Sequence, residues 1–176
     1  MSHSSRTPAA YLPTAKAFLE DLSAGDIIFT QQIFPRKFRK NPFILAESIH
    51  AACLQGHSVL FTTAVEAINT LIAAQAQCRL KAELKKFLAP TLVIVDELGY
   101  LPIDKAGADL LFQIISGRYE KGSTVITTNL AYKNWPRIFN NDSTITSAVL
   151  DRLLHHAETV VIEGKSYRMK DKLTEE

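Results

Sequence analysis

A chain of 176 residues with 47% apolar side chains is long enough for one domain with a buried core and too short for two comfortable ones. Its formal charge of +2 neither demands nor excludes nucleic acid, so local charge has to decide that question. Cys53 and Cys78 stand far apart with no CxxC spacing, and no apolar run nears the roughly 20 residues of a membrane span; both features fit a soluble protein of the reducing cytoplasm.

Residues 1–44 show no regular period. Asp26-Ile27-Ile28-Phe29-Thr30 has strand composition, but Phe34-Pro35-Arg36-Lys37-Phe38-Arg39-Lys40-Asn41-Pro42 carries two prolines and no repeat, so an irregular N-terminal segment is expected there. A helix over residues 45–55, closed by Gly56, leads to a strand at Ser58-Val59-Leu60-Phe61-Thr62-Thr63. Residues 66–88 read as one helix, with Ile68, Leu71, Ile72, Leu80, Leu84, Phe87 and Leu88 on its inner face and Pro90 as its stop. Leu92-Val93-Ile94-Val95 is a continuous apolar run of strand length, the pattern of a central parallel strand buried on both faces.

Beyond it, residues 105–119 predict a helix with Leu110, Leu111, Ile114 and Ile115 inward, and Lys121-Gly122 turns the chain into the strand Ser123-Thr124-Val125-Ile126-Thr127-Thr128. A loop around Trp135-Pro136 precedes a helix over 144–156 and a last strand at Thr159-Val160-Val161-Ile162. Strands alternating with helices predict an α/β fold, a parallel sheet flanked by helices. One core spans 45–170, and 171–176 form a polar tail.

Asp96-Glu97 follow the apolar run directly, which places two carboxylates at the C-terminal end of a buried strand, where open α/β sheets keep their ligand sites. In a nucleotide hydrolase the first acid holds Mg²⁺ and the second polarises the attacking water; a strand that ends in a charged turn uses the same residues with no chemistry. Asn129, at the end of the next strand, can hydrogen-bond a γ-phosphate or that water, or serve as a turn residue. Arg152 near the end of the last helix can reach a phosphate on a neighbouring subunit, or form a salt bridge to Asp151 or Glu158. Arg79, Lys81, Lys85 and Lys86 make a basic helix end able to touch phosphates or simply to be solvated. Tyr132 and Trp135 can stack on a base or anchor their loop, and His155 and His156 lack a third ligand at metal spacing.

The run LVIVDELGYLPIDKAGADLLFQIISGRYEKGSTVITTN, followed by SAVLDRLLHHAETVVIEGKSYRMK and preceded by HSVLFTT, resembles the IstB family of insertion-sequence helper ATPases, relatives of the DnaC helicase loader. The resemblance implies an AAA+ core with Asp96 as the Walker B magnesium residue, Glu97 as the catalytic glutamate, Asn129 as sensor 1 and Arg152 as arginine finger. It also implies ATP and Mg²⁺ as cofactors, and duplex DNA, a transposase and further copies of the chain as partners; a DnaC-like replication loader shares the same motifs.

One motif of that family is missing. GxxxxGK[ST] follows the first strand there because its backbone N–H groups cradle phosphates and its lysine neutralises them. The corresponding stretch here, Pro35 to Pro42, has no glycine; Lys40 offers a charge without a cradle. One permitted choice of codons for Arg39-Lys40-Asn41-Pro42-Phe43-Ile44, read one base later, encodes Gly-Lys-Thr-His-Leu. A short frameshift explains a scrambled P-loop with intact later motifs, and it leaves a decayed, non-hydrolysing DNA- or transposase-binding module as an alternative to a working ATPase. The gene's nucleotide sequence decides between these origins.

Overall fold

The computed structural model describes residues 27–32, 49–50, 52–155 and 157–162. Five strands form one parallel sheet: β1 (Ile27–Gln32), β2 (Val59–Thr63), β3 (Leu92–Leu98), β4 (Ser123–Thr128) and β5 (Ala157–Ile162). Their spatial order is β2-β3-β4-β1-β5. The helices are α1 (Ala64–Ala76), α2 (Leu80–Leu88), α3 (Lys105–Arg118) and α4 (Ser143–Leu154), with a 3₁₀ segment at Tyr132–Arg137. Among the described residues no helix is long and apolar enough to cross a membrane.

β1 comes from the segment expected to be irregular, and it lies inside the sheet between β4 and β5. Its local composition is compatible with a strand; its central place comes from non-local pairing, with Ile27 opposite both Thr124 and Ala157. The chain leaves β1 at Gln32 on the edge of the sheet where β3 and β4 also end. His156 and the stretch holding Lys40 lie outside the described residues.

The apolar run of β3 is buried on both faces. Val93 and Val95 join Ile126 under α1, α3 and α4, in a core with Ile68, Leu111, Ile115, Val149 and Leu153. Leu92 and Ile94 face the other way, with Val125, Ala52 and Ile49, the last two from helical residues 52–54 and 49–50. Helices on both faces account for a strand with no alternation of polar and apolar residues.

The single helix expected over 66–88 is two helices, broken at Gln77-Cys78-Arg79, where Cys78 adopts φ +54°. The apolar phase gives the reason. Ala64, Ala67, Ile68, Leu71 and Ala74 share one face of α1, and continuing that face would call for residues 78 and 82, which are exposed here. Leu80, Leu84 and Phe87 lie off that phase, so the chain must turn before it can bury them with Leu71, Leu110 and Ile114. Ile72, assigned inward by the single-helix reading, is an exposed residue.

The starts of α1, α3 and α4 are set by side-chain caps: Thr63 accepts from the Glu66 N–H at 3.1 Å, Asp104 from Gly107 at 2.8 Å, and Asp142 from Thr144 and Ile145 at 2.9 and 3.1 Å. Gly107 also lets α3 approach α1 closely, since a Cβ there would lie 2.8 Å from Cγ2 of both Ile68 and Ile103. Gly→Ala inside a helix ordinarily gains about 1 kcal/mol. Both neighbours here are β-branched and buried, so overpacking of about 1–3 kcal/mol prevails. Gly107→Ala is therefore expected to lower the denaturation midpoint, and a raised midpoint would show that the α1–α3 contact can give way.

Candidate nucleotide site

Asp96 and Glu97 sit within the last residues of β3, where its pairing with β4 is irregular. Val95 pairs with Ile126 and Leu98 with Thr128, so the two acids together face the single residue Thr127. This is a β-bulge, and Glu97 in it takes φ +60°, a left-handed conformation rare for a side chain of this kind. Gly99 follows at φ +91°, where a Cβ would lie 3.0 Å from both Leu130 and Ile138 side chains, so the chain turns sharply out of the strand on a residue that only glycine suits.

The Thr127 hydroxyl replaces the interrupted ladder. It donates to Asp96 Oδ1 and accepts the Glu97 N–H at 2.9 Å. On the other side, Thr63 at the end of β2 is level with Asp96. The Tyr100 phenol, just beyond the bulge, is pushed above its ordinary pKa, first by burial and then by the Glu97 and Asp96 charges.

Asn129 follows β4 immediately, one strand over from the acids. Among the described residues its buried Oδ1 has no hydrogen-bond partner. A buried amide oxygen left unpaired is unfavourable, by about 1–3 kcal/mol, unless a ligand or water completes it. The acids and Asn129 thus lie at the same C-terminal edge of the sheet, where β1 also ends and the strand order reverses. A hard cation fits such a carboxylate-bearing edge, because Mg²⁺ takes one or two carboxylates and fills its remaining positions with water and phosphate oxygens. A glycine-lined phosphate cradle does not fit, since no glycine occurs between Gly25 and Gly56.

Arg152 is not brought to these groups. It lies in the last turn of α4, on the chain's return to the opposite edge where β5 begins. Its guanidinium donates to the Ala148 carbonyl at 3.0 Å and lies 4.6 Å from the centre of the Phe112 ring; among the described residues it makes no ion pair. Trp135 is fully buried, donates to the Leu130 carbonyl at 3.3 Å and packs against Tyr132 and Phe139. Its part is to anchor the loop, and base stacking by its ring is ruled out by burial. The Tyr132 hydroxyl bonds Thr159 at 2.7 Å, and Tyr119 bonds His155 at the same distance. On α2, Lys86 pairs with Glu83 at 2.7 Å, while Lys81 and Lys85 are exposed.

Sequence reading passed over Thr127, although a signal for it exists. Every residue of Ser123-Thr124-Val125-Ile126-Thr127-Thr128 is buried, and a buried hydroxyl must find a partner.

The sheet order and the acids at its C-terminal edge define a core of the P-loop NTPase type. The structure is similar to the crystal structure of the DnaC helicase loader, with a TM-score of 0.70 at 16% identity over 92% of this chain and 94% of that one. A profile of the IstB-like ATP binding protein family matches residues 43–175, and the chain belongs to that family. It is 44% identical over 133 residues to the ATP-binding protein of insertion sequence IS232 from Bacillus thuringiensis subsp. berliner, which covers 75% of this chain and 53% of the relative. It is 41% identical over 117 residues to the ATP-binding protein of insertion sequence IS21 from Pseudomonas aeruginosa, covering 66% and 44%. The chain thus spans about half the length of these relatives.

Proposed function

We propose that this chain is an ATP-binding AAA+ helper of DNA transposition, acting with the transposase of its element on duplex DNA and assembling with copies of itself. The observation that carries the reading is the acid pair on its bulge beside the unpaired Asn129 oxygen, at the edge where β1 ends. Residues 45–170 with β1 form the proposed ATPase core. Bound Mg²⁺·ATP supplies the cation and the phosphoanhydride that water cleaves. Asp96 would hold the cation, Glu97 would orient and polarise the water, and Asn129 would hydrogen-bond the γ-phosphate or that water. Lys40 would offer charge without a cradle. Arg152, carried away from its own chain's acids, serves the site of a neighbouring copy. The exposed Lys81 and Lys85, with Arg79, suit phosphates of duplex DNA.

The lack of any glycine between Gly25 and Gly56 favours a second reading, a non-hydrolysing DNA- or transposase-binding module on the same fold. Equilibrium binding of a fluorescent ATP analogue with Mg²⁺ separates the two. The expected result is saturable binding that Asp96→Ala weakens by about tenfold or more. A folded chain that binds no analogue supports the module instead.

A further inference from the structure

Thr127 stands apart from the residues given roles above: it is a neutral hydroxyl, 4% exposed, and both of its hydrogen bonds go to the acid pair. In a regular parallel ladder the Asp96-Glu97 backbone would bond to β4 and consecutive side chains would point to opposite faces. The bulge breaks that pattern, and left alone it would give a mobile carboxylate and an unpaired amide. One hydroxyl prevents both. As donor it engages a single Asp96 oxygen; as acceptor it holds the Glu97 amide, and with it the left-handed backbone that sets where the Glu97 carboxylate starts.

The geometry points to Thr127 as the positioning residue of the nucleotide site, fixing the cation-holding acid and the water-orienting acid through one shared hydroxyl. The inference rests on the proposed ATPase reading. It makes the two acids a coupled unit referenced to β4, the strand that Asn129 directly follows, so all three groups are placed from one strand end. A group that orients a metal ligand typically alters metal affinity by about 10–100-fold when removed. Valine keeps the shape of threonine and loses both hydrogen bonds; serine keeps both.

The test pairs two measurements on the whole chain. One is Mn²⁺ binding in the presence of ATP, followed by the spectrum of the free ion; the other is hydrogen exchange at the Glu97 amide without ligand. Thr127→Val is expected to weaken Mn²⁺ by about tenfold or more and to speed Glu97 exchange by about tenfold. Exchange at Val93 and Val125 should stay as in the parent, and Thr127→Ser should restore both readouts. Should valine prevent folding, Thr127→Ala takes its place. Parent-like Mn²⁺ affinity in Thr127→Val, or equal loss in the valine and serine variants, overturns the positioning role. If the parent chain binds no Mn²⁺·ATP, the ATPase reading fails and takes this role with it, and a protected Glu97 amide then identifies the hydroxyl as a purely structural clamp.

Discussion

Arg118→Met is expected to destabilise the fold by about 3–5 kcal/mol, the range for stripping a buried charged network of one partner. Arg118 is 2% exposed, and all five of its N–H donors are used. Nε donates to Thr124 Oγ1 at 3.0 Å, one terminal nitrogen to the Phe87 and Pro90 carbonyls at 3.0 and 2.9 Å, and the other to the Thr91 and Ser123 carbonyls at 3.2 and 2.6 Å. The guanidinium therefore ties the end of α2 and the entry to β3 onto the start of β4. Burial lowers its pKa to about 10, so it stays charged at neutral pH and the network does not titrate near pH 7. Methionine fills much of the volume and strips the Arg118 donors from four carbonyls; the Thr91 carbonyl keeps the Ser123 N–H at 3.0 Å, whereas those of Phe87 and Ser123 lie where water has little access. Lysine should recover only part of the loss, because three donors on a point charge cannot span the fan. In a domain of this size the methionine variant should melt on the order of 10 °C lower. A shift of under about 2 °C would mean that water re-solvates the carbonyls and that the network contributes little.

Gly122 belongs to the same arrangement. A Cβ there would lie 2.7 Å from an Arg118 terminal nitrogen, so the Lys121-Gly122 turn read from sequence as a simple connection is also the wall of the guanidinium's pocket. What sequence conveys and what it hides divides along this line. The β3 and β4 runs, the helices over 105–118 and 143–154 and the closing strand were legible because each rests on local composition and period. The partners of Arg118 come from residues 87–91 and 123–124, and nothing in local pattern links them. The break at Cys78 was encoded in the shifted apolar phase, and it was lost in a reading that counted apolar residues without tracking their angle around the helix.

The candidate site shows the same division. The acids and Asn129 announce themselves by type and order at strand ends, and the structure brings them to one edge. The bulge does not announce itself, because Glu97 is a residue with no liking for φ +60° and no glycine marks the position. Local rules are broken there and kept elsewhere in β3, which is the distribution expected where a strand is shaped for chemistry rather than for stability. The stretch between Gln32 and Ile49 is the counterpart. Its sequence lacks the glycines a phosphate cradle needs, whereas β2, β3 and β4 and the helices that follow them are all formed.

Glu97 allows these two kinds of conformational requirement to be separated, since its side chain and its backbone make opposite demands. In the proposed mechanism Glu97→Gln removes the base while keeping the backbone, and hydrolysis should fall by about 10²–10⁴-fold with nucleotide binding retained. Glu97→Gly should abolish hydrolysis as well, and its effect on stability is the more telling quantity. A left-handed residue with a Cβ is disfavoured by about 1–2 kcal/mol, and glycine removes that strain at an entropic cost of about 0.5–1 kcal/mol. The glycine variant should therefore be as stable as the parent or more stable by up to about 1 kcal/mol, against the loss that glycine normally brings within a strand. Urea denaturation of the parent, Glu97→Gln and Glu97→Gly chains measures this directly, without any need for the chain to hydrolyse ATP. Glycine destabilising by more than about 1 kcal/mol would mean that the glutamate side chain holds the bulge in place. A neutral or stabilising glycine would mean that β3 keeps a strained residue whose side chain the fold does not need, and a carboxylate retained under strain beside Asp96 and Asn129 is one retained for what it does to a ligand.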